Sequence, residues 1–136
     1  MPSLIRHFWP GLKIIIERVN NQRKITYGEL AEALGLSLAQ QEWHTVLNPI
    51  ANKTKADLGE DYDLTWNVVY GSGPAAGLGR YFSNEGKPTA SELLDPKDHE
   101  QVAKYKVTLA EIYSFTYSLQ MIEGKSTVVK TPRRSS

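Results

Sequence analysis

Cysteine is missing from this chain of 136 residues. Disulfides, thiolate metal sites and a cysteine nucleophile are thereby excluded. An excess of charge of either sign is nearly missing as well. Sixteen Lys and Arg against fifteen Asp and Glu leave a formal net charge of +1. A nucleic-acid partner would have to be met by a local arrangement of cations, because no global basic excess exists. Long apolar runs are also lacking. The N-terminal one is broken by Lys13, Glu17 and Arg18 and preceded by Pro2, Arg6, His7 and Pro10. It reads as neither a signal peptide nor a membrane span. Metal-type histidine spacing is absent too, since His7, His44 and His99 stand far apart and outside any His-x-x-x-His or Glu-x-x-His pattern. These absences lead us to expect a cytoplasmic protein with no cofactor, no metal and no membrane partner.

Apolar residues make up 40% of the chain and charged residues 23%. That is enough to build one domain around its own core. Leu12, Ile15, Ile16 and Val19 recur at helical spacing with Pro10 near the start, so a first helix is expected there. The most informative stretch is Lys24 to Gly35. Thr26 is a good N-cap and Glu29 stands three residues later, the capping-box spacing. Leu30, Ala31 and Leu34 then share one face, and Gly35 suits a left-handed stop. A third helix is expected after Ser37, with Trp43, Val46, Leu47 and Ile50 as its apolar stripe and Pro49 kinking or ending it near Asn48. Two short helices joined by a glycine-containing turn have the shape of a helix-turn-helix. The same pattern also serves as the middle of a small core.

Further along, Asn52 to Asp63 reads as a polar loop. Leu64 to Tyr70, rich in β-branched and aromatic residues, reads as a strand. Gly71 to Gly79 reads as a flexible turn or wing, with Arg80-Tyr81-Phe82 returning as a second strand. Asp95-Pro96 has the form of an N-cap and first helical residue, and Val102, Tyr105, Leu109 and Ile112 then give a C-terminal helix. Tyr113 to Tyr117 fits either the end of that helix or a strand. The last residues are polar and locally basic, so the expected division is a winged-helix-like domain at 1–122 and a basic flexible tail at 123–136. The expected core is Leu12, Ile15, Ile16, Val19, Leu30, Leu34, Val46, Leu47, Val68 and Ile112.

In this order of elements, Thr26-Tyr27-Gly28-Glu29-Leu30-Ala31, Leu47-Asn48-Pro49 and Val68-Val69 before a glycine-rich turn and Tyr81, the chain resembles a known family. It is similar to the DNA-binding domain of the O6-alkylguanine DNA alkyltransferases and the alkyltransferase-like proteins, over about residues 12–82. The resemblance implies an α+β fold with a winged helix-turn-helix-like core, a small antiparallel sheet and a C-terminal helix. It implies a role near DNA repair, with Tyr27 against the DNA backbone and a base pocket around Thr65, Trp66, Asn67 and Tyr81. The departures are specific. Aligning the Val-Val pair puts Leu64, Thr65, Trp66 and Asn67 where the family has proline, reactive cysteine, histidine and arginine. The family's arginine finger falls near Gln41, and no arginine stands between Arg23 and Arg80. Flipping a base leaves a hole in the stack that costs a few kcal/mol to leave open. Small bacterial proteins share the Thr-Tyr-Gly-Glu-Leu-Ala opening without the catalytic motif, and this chain resembles those most.

The residues themselves offer little to an enzyme. The carboxylates Asp57, Glu60, Asp61 and Asp63 match no calcium-loop spacing and read as a solvated acidic loop. The glycines from Gly71 to Gly79 lack the following helix that a dinucleotide fingerprint requires. Basic residues flank the expected helix pair: Arg23 and Lys24 before it, Lys53 and Lys55 after it, and Arg80 beyond the wing. Such positions contact phosphates in a winged helix, and they are equally suited to plain solvation. The expected DNA-binding set is Arg23, Lys24, Thr26, Tyr27, Gln41, His44, Thr45 and Arg80. The expected function is a non-catalytic, weak binder of double-stranded DNA. The alternative is a protein-interaction module that presents Trp43, Trp66 and Tyr70 to a protein partner.

Overall fold

The computed structural model describes residues 4–36, 43–71, 77–78 and 96–133. A short 3-10 turn at Leu4–His7 leads into helix α1, Phe8–Asn20. Pro10 sits in its first turn, where a missing N–H leaves no intrahelical bond unmade. Leu12, Ile15, Ile16 and Val19 are buried along one stripe. Gly11 lies on the same side, where an added Cβ would come within 3.1 Å of Ile50 Cδ1. The glycine lets α1 lie close against helix α3, Trp43–Leu58.

Strand β1, Ile25–Thr26, runs directly into helix α2, Tyr27–Leu34. The capping box is present in both directions. The Thr26 hydroxyl accepts the Glu29 N–H at 3.0 Å, and the Thr26 N–H donates to the Glu29 carboxylate at 3.0 Å. Gly35 takes the left-handed conformation at φ 68° and its N–H reaches back to the helix's last carbonyls.

Three departures from the sequence reading concern the middle of the chain. First, α3 passes through Pro49 and continues to Leu58, so Asn52 to Leu58 is helix and not loop. Buried Ile50, Ala51 and Thr54 hold the second half of the helix to the core, which outweighs the single backbone bond proline removes. Second, Leu64–Asn67 forms a 3-10 turn, and only Val68–Val69 is strand, β2. The cause is local. Asp63 caps the turn by accepting the Thr65 N–H at 2.9 Å, and the Leu64 N–H donates to the Thr54 hydroxyl at 3.2 Å. Third, β2 pairs in parallel with β1, Ile25 opposite Val68 and Thr26 opposite Val69. The expected partner, Arg80 to Phe82, lies outside the described residues. After β2, the Tyr70 N–H donates to the Leu78 carbonyl and the Tyr70 carbonyl accepts the Gly77 N–H.

Helix α4, His99–Tyr113, is capped by Asp98 and not by Asp95. The Asp98 carboxylate accepts the N–H groups of Glu100 and Gln101, while Pro96 sits in a turn before it. The C-terminal segment departs most from expectation. Instead of a flexible tail from residue 123, strands β3, Phe115–Ile122, and β4, Lys125–Pro132, form an antiparallel hairpin. Glu123 and Gly124 both have positive φ, 50° and 77°, the backbone twist that suits a two-residue hairpin turn. Arg133 ties the hairpin down. Its guanidinium donates to the carbonyls of Tyr113, Val19 and Asn20, at the C-terminal ends of α4 and α1.

The fold is therefore mixed α+β, with four described helices, a parallel strand pair and an antiparallel hairpin. One core joins Leu12, Ile15, Val19, Leu30, Ile50 and Ile112 to Tyr105, Tyr117 and Val128. Nine of the ten expected core residues are buried, and Leu34 is the half-buried exception. No helix among the described residues is long and apolar enough to cross a membrane.

Candidate nucleic-acid interface

Four of the eight expected binding residues, Arg23, Lys24, Thr26 and Tyr27, stand at the start of α2. Arg23 and Lys24 stand just before β1, on the segment that leads from α1 into α2. Arg23 is exposed, and its backbone carbonyl accepts the Asn67 side-chain amide at 2.9 Å. The Lys24 ammonium donates to the Gly77 carbonyl at 2.8 Å and lies 5.6 Å from the centre of the Tyr105 ring. Partial burial, and then the charge of Lys106, hold the Lys24 ammonium below the ordinary lysine value. Lys106 is on α4, so that helix brings a second cation toward this site. Both ion pairs among the described residues, Arg18 with Glu29 and Lys53 with Asp57, leave Arg23, Lys24 and Lys106 out.

Tyr27 is the first residue of α2 and half-buried, with its ring 5.2 Å from that of Tyr70. Gly28 is exposed beside it, and a Cβ there would meet nothing closer than the Thr26 hydroxyl at 3.9 Å. The Thr26 hydroxyl is committed to the cap. Glu29 is held below the usual carboxylate range by the Thr26 N–H, with help from Arg18.

The residues expected to line a base pocket have other duties. Thr65 is buried and donates both its N–H and its hydroxyl to Asp63. Asn67 is fully buried and braces two elements, donating to the Arg23 carbonyl and accepting the Tyr113 hydroxyl. Burial pushes the Tyr113 hydroxyl up to about 12, so it stays a donor at neutral pH. Trp66 is half-buried and stacks on Tyr105 at 5.6 Å, while the Tyr105 hydroxyl donates to the Trp66 carbonyl. Neither Thr65 nor Asn67 opens toward a ligand, which corrects their assignment to a pocket. Trp66 and Tyr70 are likewise not the open aromatics that an interaction module was expected to present.

Thr45 is exposed on α3. Gln41, Arg80 and Tyr81 lie outside the described residues, as do the side chains of Trp43 and His44. The acidic loop also resolves differently from expectation. Asp57 lies on α3, paired with Lys53 and accepting the Val128 N–H, and Asp63 is buried. Among the described residues no group of three His, Asp or Glu side chains is placed to hold a metal ion. Sequence reasoning missed Lys106 and Tyr105 as neighbours of Lys24. Tyr105 belongs to the apolar stripe of α4, but nothing in the sequence says which element that stripe faces.

The chain matches no protein-family model, and comparison with curated proteins and with solved structures gives no similar protein.

Proposed function

We propose that this protein is a non-catalytic DNA-binding protein of alkyltransferase-like, winged-helix type, contacting the duplex backbone with the start of α2. The observation that carries the reading is the charge of Lys106 acting on Lys24 just before that helix, with exposed Arg23 next to Lys24 in the chain, all three outside both ion pairs found among the described residues. On a chain with a net charge of +1, such a local excess of cations is what a phosphate backbone would meet. Exposed Gly28 leaves room for a close approach, and Tyr27 beside it supplies a hydroxyl-bearing ring. The buried, hydrogen-bonded state of Thr65 and Asn67 supports backbone contact without base flipping. The contacts are few, so binding is weak and indifferent to sequence.

A fluorescence-anisotropy titration with a labelled duplex, repeated over a range of salt, tests this. Affinity should fall steeply with salt. Lys24→Ala should weaken binding to all sequences alike and reduce the salt slope by about one unit. Absence of binding at about 100 μM protein in low salt, the weak end of non-specific affinity, overturns the reading. The alternative, a protein-interaction module, draws its support from large apolar side chains left open elsewhere, Val107 on α4 and Met121 on β3.

A further inference from the structure

The β3–β4 hairpin has two edges, and they are finished differently. In the observed register, Tyr117 faces Lys130, Leu119 faces Val128 and Met121 faces Ser126. The Tyr117 N–H and carbonyl are taken by the Asn20 side-chain amide at 2.8 and 2.9 Å. The Val128 N–H is taken by Asp57 at 2.9 Å. Both residues therefore point their backbone groups away from the ladder. Because the antiparallel pattern alternates, Leu119 and Met121 do so as well. On β4 the outer edge carries Asp57 at Val128, then Lys130, then Pro132, the devices that blunt an edge. On β3 the Asn20 amide covers Tyr117 only. The outward N–H and carbonyl groups of Leu119 and Met121 have no partner among the described residues.

Beside this open stretch, between α1 and β3, runs a groove of about 300 Å³ lined by Lys13, Ile16, Glu17, Asn20 and Leu119. Met121 itself is 70% exposed, although it shares the face of the sheet that buries Tyr117. An open edge, a groove next to it and an apolar side chain standing free at the same place form one unit.

We propose that Leu119 to Met121 is a strand-pairing surface for a second copy of this chain. An antiparallel copy centred on Gln120 sets each Leu119 opposite the copy's Met121, and each such pair exchanges two backbone hydrogen bonds. Directly opposed residues share a face of the sheet. The copy's Met121 then enters the groove beside Leu119 and Ile16, and this chain's Met121 enters the copy's groove. The lengths agree. The added strand must stop where Asn20 covers Tyr117, and in this register the residue arriving there is Glu123, where the copy's chain turns away. The charges agree as well. A two-fold axis brings each residue near it against itself, and Ser118 to Ile122 carries no charge.

Sedimentation equilibrium of the full chain tests the assignment. The wild type should self-associate into dimers at concentrations up to about 1 mM. Met121→Pro removes the outward N–H and the side chain that fills the groove. It leaves the hairpin ladder intact, since Met121 makes no bond to β4. Gln120→Glu sets a carboxylate against itself on the axis and touches no backbone group. Both variants should keep the wild-type melting temperature and associate at least about tenfold more weakly. A wild type that stays monomeric at about 1 mM overturns the proposal. So does a Gln120→Glu variant that associates as the wild type does.

Discussion

Asp63 is the residue whose replacement tests most directly how this fold handles charge. Its side chain is 4% exposed, and it caps the 3-10 turn at Leu64–Asn67 by accepting the Thr65 N–H. Burial pushes its carboxyl from 3.8 up to about 6, against the opposing pull of the Thr65 hydrogen bonds and Lys55. A raised carboxyl pKa means that the folded chain binds the proton more tightly than the unfolded chain does. This contribution to stability is fully present below about pH 4, falls as the pH rises toward about 6 and stays lost above that. A shift of about two units corresponds to about 3 kcal/mol. Asp63→Asn keeps a carbonyl oxygen for the Thr65 N–H and carries no charge at any pH. Near pH 3.5 the variant should match the wild type within about 1 kcal/mol, the worth of one ordinary hydrogen bond. At pH 8 it should be the more stable of the two by up to about 3 kcal/mol. For a chain of this length that is roughly 10 °C in melting temperature. Urea unfolding followed by circular dichroism across this range reads the difference directly. Parallel stability profiles for the two proteins would refute the argument, since they would mean that Asp63 titrates alike in the folded and unfolded chains.

The capped helix α2 gives a second expectation. Leu30 is fully buried and Leu34 half-buried, so Leu30→Ala should cost roughly 2–5 kcal/mol and Leu34→Ala clearly less, both measured by urea unfolding. Equal costs would contradict the packing of that face. A third concerns chemistry. The chain has no cysteine, and a thiolate is the acceptor in alkyl transfer, so incubation with DNA containing O6-methylguanine should leave its mass unchanged. A gain of one methyl group at a defined residue would refute this.

What could be read from the sequence was whatever is enforced within a few residues. The Thr26–Glu29 box, the Gly35 stop and the apolar stripe of α1 are local, and each stands in the structure as read. Elements decided by distant partners were misread. Pro49 argued for a helix end, but the burial of Ile50 and Thr54 against the rest of the core carries α3 onward to Leu58. Leu64 to Tyr70 has strand composition, yet one carboxylate at Asp63 and one hydroxyl at Thr54 fold its first half into a turn. The C-terminal residues looked like a tail because they are polar. They become strand because Asn20, Asp57 and the carbonyls that accept Arg133 supply hydrogen bonds from other elements of the fold.

The same division runs through the candidate site. Arg23, Lys24 and Tyr27 could be picked out because they flank a recognisable helix start. Lys106 could not, because its proximity to Lys24 exists only once α4 has packed. Asn67 shows the converse. Its position beside a Val-Val pair suggested a ligand pocket. Its amide instead ties the Arg23 carbonyl to the Tyr113 hydroxyl, holding the start of α2 against the end of α4. A side chain that fixes the distance between the Arg23 backbone and α4 also fixes the spacing of the cations on those two segments. Asn67 thus contributes to the surface at Lys24 and Lys106 as a buried brace and not as part of its exposed face.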